Sequence, residues 1–385
     1  MQFPSLSKIA AAGFAALVAV GVSAAPASAD PAPVTDYRVL AGVGSDTTQD
    51  VMNGISNVVT SGGNKVIASW DARGSDLIKT RSAGCQFSRP NGSGNGRKAL
   101  RASENENTGE GPGVWQGVNV ANCLDFARSS AYGGTSPSTS GTYTYIPLGV
   151  DAVSLAINKN GDLPTNISFA QVQRIYRCLD SSVGGTPVTP RMIQAGSGSW
   201  DFWLSKMQMT EVEINFGDYP CLAKIPTGGD TAVPNLPRVQ EHDGTILNGN
   251  LSHVVPLSAA QFIAQSNVAS INALTGVAVE DRRGDARLVG MRLPGQAIQQ
   301  PIVGGVLNID FPLRRDVYNV VPTADLGVPV VATTFVGANS QVCTATVSDG
   351  GVQRGVIELF GFGKRTTTAN LLEAACGDPS LKANG

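Results

Sequence analysis

The sequence predicts an α/β fold of two lobes, and three observations carry that prediction. Apolar, strand-like runs lead repeatedly into a glycine turn and then into a helical pattern. Two long apolar runs, Tyr145–Asn158 and Leu251–Ala260, bracket the middle of the chain as crossings between lobes. A chain of 385 residues, 42% hydrophobic and 15% charged with 45 glycines, suits a two-domain globular protein rich in loops. The expected organisation is an export signal over 1–29, a first part of lobe one over 37–149, lobe two over 150–256, and the rest of lobe one over 257–385.

The export signal rests on Lys8, an apolar run from Ile9 to Val22, and Ala27-Ser28-Ala29 before Asp30. That core is too short to span a bilayer, and no cysteine at the cleavage point suggests a lipid anchor. A secreted protein, extracellular or periplasmic, is therefore expected, without a membrane span and as a monomer. Lys and Arg number 28 against 30 Asp and Glu, a formal net charge of −2 that becomes about −3 once Lys8 is removed. Such a balance argues against nucleic acid or a membrane surface as partner.

The first unit sets the pattern. Val39 and Leu40 enter Ala41-Gly-Val-Gly-Ser-Asp-Thr-Thr48, and Val51, Ile55 and Val58 follow at helical spacing, with Ser45 or Asp46 placed as cap. A strand, a Gly-x-Gly turn and a helix N-terminus make a seat for an anion, because free N–H groups and the positive end of the helix dipole meet there. Asn64–Trp70 reads as the next strand and runs into a second such turn, Arg73-Gly74-Ser75-Asp76. The segment from Cys85 to Cys123, with Asn91-Gly-Ser-Gly-Asn-Gly96 and Thr108-Gly-Glu-Gly-Pro-Gly113, reads as a long decorated loop. Its Arg89, Arg97, Lys98 and Arg101 read as a solvated surface.

Leu124–Ser130 is a third polar strand end, carrying Arg128, Ser129 and Ser130. Ser168-Phe-Ala-Gln171 reads as a capping box ahead of a helix with Phe169, Val172 and Ile175 on one face. Gly196-Ser-Gly-Ser199 is a fourth turn of the same kind. Trp200, Trp203, Leu204 and Met207 then fall on one helical face, which reads as core rather than a sugar platform. Gln240-Glu-His-Asp-Gly244 reads as an exposed loop, since no nucleophile motif accompanies it. Ser258 and Gln261 mark another helix start, and the tail carries no chemical motif.

Six cysteines, Cys85, Cys123, Cys178, Cys221, Cys343 and Cys376, lie in the exported part and favour disulfides. Of the 15 possible connectivities the sequential one is simplest, each bridge closing a local excursion. With no Cys-x-x-Cys and only His242 and His253 as histidines, no metal site is expected, and no cofactor either.

The residues resemble the phosphate-binding proteins that serve ABC transporters, members of the periplasmic-binding-protein superfamily of type II. The resemblance runs to about Ala264. Gly42-Val-Gly-Ser-Asp-Thr47 is similar to that family's Gly-Ala-Gly-Ala-Thr-Phe, and Gly74-Ser75 after Asn64-Lys65-Val66 to its Gly-Ser turn. Asp125-Phe-Ala-Arg-Ser-Ser130 resembles Asp-Phe-Gly-Ala-Ser-Asp, and Ser197-Gly198-Ser199 resembles Ser-Gly-Thr before a helix. The resemblance implies two α/β lobes, a hinge and an interlobe cleft for inorganic phosphate or a similar oxyanion, with an ABC permease as partner. It implies a ligand set of Ser45, Asp46, Thr47, Ser75, Arg128, Ser129, Ser130, Ser197, Gly198 and Ser199.

The chain departs from the family at three positions: its phosphate-reading Asp falls at Ser130, its Arg at Ile193, and its first-loop Thr at Asp46. Asp46 and Arg128 supply one acid and one cation nearby, which implies a rearranged anion site with Asp46 as the reader of the phosphate proton. The alternative is that Asp46 caps its helix and points away. Three functions stay open: a solute-binding protein for uptake, a secreted oxyanion scavenger without a transporter, and a secreted phosphoester hydrolase. The first leads, so a binding protein rather than an enzyme is expected.

Overall fold

Strand β4 (Tyr143–Asn158) ties the molecule together: all 16 of its residues are buried, and it changes partners halfway along. The computed structural model describes residues 30–222 and 238–385. The expected export signal lies outside them. In chain order the elements that build the site are β1 (Leu40–Gly44), α1 (Gln49–Val58), β2 (Ile67–Ser69), α2 (Ser93–Ser103), β3 (Phe126–Ser129) and β4. Then come α3 (Phe169–Tyr176), β5 (Thr189–Pro190), α4 (Gly198–Met207), α5 (Glu211–Phe216), β6 (His253–Ser258), α6 (Ala259–Ser266), β7 (Ala286–Leu288) and β8 (Arg314–Pro322). One mixed sheet runs β5-β6-β4-β8-β3-β1-β2, with β7 also on β4.

The first half of β4, to Ala152, pairs antiparallel with β8, and the second half pairs with β6 and β7. Each half of the sheet is covered on both faces, so its central strands are apolar throughout. Leu40, Phe126, Ile146, Leu148 and Val317 face α1, while Val43, Ala127, Tyr145 and Tyr318 face α2. Beyond Ala152 the side chains of Val153, Leu155 and Ile157 meet Tyr176, Trp200 and Trp203, and Ala156, Val255 and Leu257 form the opposite face. Trp200, Trp203, Leu204 and Met207 are buried as expected from their spacing. Burying Met207, fully covered on that face, contributes roughly 1.5 to 3 kcal/mol.

Three expectations are corrected here. Cys85–Cys123 is not a bare loop, because Gly92–Gly96 lead into and begin α2, whose Gly96, Ala99, Leu100 and Ser103 are buried. A Cβ on Gly96 would lie 2.4 Å from the Gly44 Cα, so the glycines serve close helix-to-strand contact rather than looping. Arg89 is not solvated: its guanidinium pairs with Asp30 at 2.7 Å with both side chains buried. And Val289, Met291, Leu307, Phe311 and Leu313, expected in lobe one, pack in the core of the middle lobe. The chain thus passes between the two cores four times, near residues 152 and 259, between 279 and 289, and near 313. The disulfides are Cys85–Cys123, Cys178–Cys221 and Cys343–Cys376, the sequential set. Among the described residues no helix is long and apolar enough to cross a membrane.

Candidate functional site

The site begins where β1 ends. Gly44 has φ of +121°, and a Cβ there would lie 2.5 Å from the Arg128 carbonyl oxygen, so only glycine lets β1 turn against β3. The Ser45 N–H donates to that carbonyl at 3.1 Å. Arg128 itself is fully buried, donating to the Ser45 carbonyl at 3.1 Å and to Ser69 Oγ at 2.9 Å. Burial pulls its pKa down to about 10, against the opposing pull of Asp71 and Asp46. Its guanidinium therefore ties the ends of β1 and β2 together from beneath the turn.

Asp46 does not cap α1. The cap position is Thr48, without a side-chain bond, and Asp46 Oδ1 accepts from the Thr47 N–H at 3.1 Å. Its Oδ2 turns to the other lobe, accepting from Gln194 Nε2 at 3.3 Å and lying 3.9 Å from His242 Nδ1. Burial, reinforced by the charge of Glu241, raises its pKa above the ordinary carboxylate value, since a desolvated acid beside another acid is harder to ionise.

Thr47 meets the second lobe through Glu241 and Ser199, and is tied to Gln261 of its own lobe. Its Oγ1 donates to Glu241 Oε1 at 2.5 Å and lies 3.5 Å from Ser199 Oγ, and its carbonyl accepts from Gln261 Nε2 at 2.5 Å. Ser199 Oγ donates to the same Glu241 oxygen at 2.7 Å. It also accepts from Arg315 Nη2 at 2.6 Å, the guanidinium being paired to Asp151 at 3.0 Å. Arg315 Nε and Nη1, Glu241 Oε2, Ser45 Oγ and Thr48 Oγ1 are buried without a hydrogen-bond partner among the described residues. Arg315 also lines a cavity of about 590 Å³ with Phe202, Lys206 and Tyr132.

The remaining expected site residues divide. Ser197 caps α4 by accepting from the Trp200 N–H at 3.0 Å. A Cβ on Gly198 would lie 2.5 Å from Ser130 Oγ, and Ser130 is bonded to Ser93, so α4 starts against the end of β3. Ser129 accepts from Arg97 at 2.8 Å. Ser75 is not brought in: it is exposed, bonded to the Leu77 carbonyl and to Arg89.

The sequence reading missed Glu241, His242, Gln194, Asp151 and Arg315. Gln240–His242, expected on an exposed loop, are buried, because the Glu241 carbonyl accepts from the Ser258 N–H at 2.7 Å while its carboxylate takes Thr47 and Ser199. The signal for Arg315 was a pair of arginines and an Asp heading the apolar run Val317–Val321. Asp46, Glu241 and His242 bring their potential ligand atoms within 4.8 Å of one another.

The fold and site define a two-lobed α/β protein with a buried polar cluster where the lobes meet. No family model matches the chain, and no curated protein matches it. Solved structures similar to it include an ABC-type phosphate transport receptor from Vibrio cholerae, at 12% identity and a TM-score of 0.42, covering 76% of this chain and 93% of that one. A phosphate-binding protein from Stenotrophomonas maltophilia is similar at 15% identity and a TM-score of 0.38, covering 90% and 100%. A DING protein is similar at 12% identity and a TM-score of 0.44, also covering 90% and 100%.

Proposed function

We propose that this protein is an exported solute-binding protein that captures phosphate, or a related tetrahedral oxyanion, between its two lobes for ABC-type uptake. It binds rather than catalyses. The observation that carries the reading is the meeting of Thr47 and Ser199 across the lobes on one anionic oxygen, Glu241 Oε1, with Arg315 behind Ser199. These are the hydroxyls, helix start and guanidinium that hold an oxyanion, and a carboxylate oxygen already fits among them. A dry site makes each charge-assisted bond stronger than it is in water.

The two acids favour phosphate over sulfate. Hydrogen phosphate has a proton to donate to a carboxylate, whereas sulfate meets it as a like charge in a desolvated site. Asp46, with Gln194 and His242 around it, is the reader of that proton, and the ligand set is Ser45, Asp46, Thr47, Ser130, Gly198, Ser199 and Arg315. Closure bends the chain at its crossings near 152 and 259, between 279 and 289, and near 313, and couples occupancy to shape.

Calorimetry on the mature protein with inorganic phosphate and with sulfate tests the reading, together with mass analysis of ligand released from the purified protein. One phosphate per chain, bound more tightly than sulfate and returned unchanged, is the expected result. Absence of binding by either anion overturns it, and turnover of a phosphoester moves the protein to the hydrolase class.

A further inference from the structure

We propose that Asp46, Glu241 and His242 together form a site for a divalent first-row transition-metal ion, held by one oxygen from each acid and one imidazole nitrogen. Two carboxylates and an imidazole are a donor set that suits such ions, and the three side chains offer their ligand atoms within 4.8 Å of one another. All three are buried, Glu241 completely.

The independent observation is what the site leaves unused. Both ring nitrogens of His242, which is 4% exposed, have no hydrogen-bond partner among the described residues, and neither has Glu241 Oε2. A buried imidazole with neither nitrogen engaged costs free energy unless something binds it. Nδ1 lies 3.9 Å from Asp46 Oδ2, too far for a hydrogen bond. A metal between them would engage both groups at once.

The groups around the acids are arranged as metal sites require. Gln194 fixes Asp46 Oδ2 from one side, and Thr47 and Ser199 hold Glu241 Oε1, which leaves Oε2 for a metal. A dication between two carboxylates also removes their mutual repulsion. The second histidine, His253, lies apart from the cluster, with its Nδ1 3.2 Å from Arg191 Nη1.

This inference shares Asp46 and Glu241 with the oxyanion reading but is tested separately, since the test contains no phosphate. The whole mature protein, stripped with chelator, is titrated with Zn²⁺ by calorimetry and with Co²⁺ by visible absorption, with Mg²⁺ as control. One Zn²⁺ per chain is expected, with Mg²⁺ at least a hundredfold weaker. His242→Ala and Glu241→Gln should each weaken Zn²⁺ at least tenfold, and Ser75→Ala should leave it unchanged. X-ray absorption on the Zn²⁺-loaded wild type should count one histidine, a readout that holds even where a variant fails to fold. No Zn²⁺ binding below millimolar, a count of zero or two histidines, or binding that survives both substitutions overturns the proposal. Phosphate bound without metal leaves the oxyanion reading standing alone, and metal bound without phosphate leaves only this one.

Discussion

Two turns in this molecule have nearly the same local sequence and opposite fates. Gly44-Ser-Asp46 and Gly74-Ser-Asp76 each put a glycine of positive φ before a serine and an aspartate at the end of a strand region. In the first, Ser45 and Asp46 are buried, and Asp46 faces Gln194, Glu241 and His242 of the other lobe. In the second, Ser75 and Asp76 are exposed, and Arg89, anchored on Asp30, is the side chain that reaches Ser75. A glycine-hydroxyl turn becomes a candidate site only where a second body of protein covers it, because burial is what turns weak surface dipoles into selective contacts.

The comparison can be broken at the glycines first. Gly44→Ala puts a Cβ 2.5 Å from backbone at a φ of +121°, and should cost roughly 2 to 4 kcal/mol in urea unfolding. Gly74→Ala meets the movable end of Arg89 at 3.0 Å and should cost about half that or less, the backbone strain alone. Equal losses would mean that the two turns are held alike.

Next come the cations. Arg315→Met should weaken phosphate binding by about a hundredfold, the size expected for a charge-assisted bond at a buried anion. Arg89→Met should leave phosphate affinity unchanged and lower only stability, since its partner Asp30 is left unpaired. Calorimetry on both variants separates a ligand contact from a structural one.

A smaller effect is expected at the acid. Asp46→Asn should let sulfate gain on phosphate by roughly 1 to 3 kcal/mol, the worth of one unpaired buried polar group. Parallel titrations with the two anions read this directly, and a substitution that shifts both affinities alike removes Asp46 as the proton reader. Least of all, Ser199→Ala should weaken phosphate by about 1 kcal/mol, while Ser75→Ala changes nothing measurable in the same titration.

Much of the fold was legible because it is written locally. The long strand over Tyr143–Asn158, the caps at Ser168, Ser197 and Ser258, and the buried face of α4 follow from periodicity and from side chains that bond to their own neighbours in the chain. The disulfides follow the order of the cysteines, each closing a separate excursion.

What the sequence by itself determined, then, were the elements, their order and the polar turns at strand ends. Only the tertiary structure decided which turns meet. Gln240–His242 read as an exposed loop because their burial depends on Thr47 and Ser199, residues distant in sequence. Gly92–Gly96 read as loop because the reason for glycine at position 96 is the approach of Gly44, 52 positions back. Arg315 was marked only by the charged head of an apolar run, and its place behind Ser199 comes from β8 pairing with β4. Hydrogen bonds across the lobes are set by chain path, and chain path is a property of packing rather than of any short stretch of sequence.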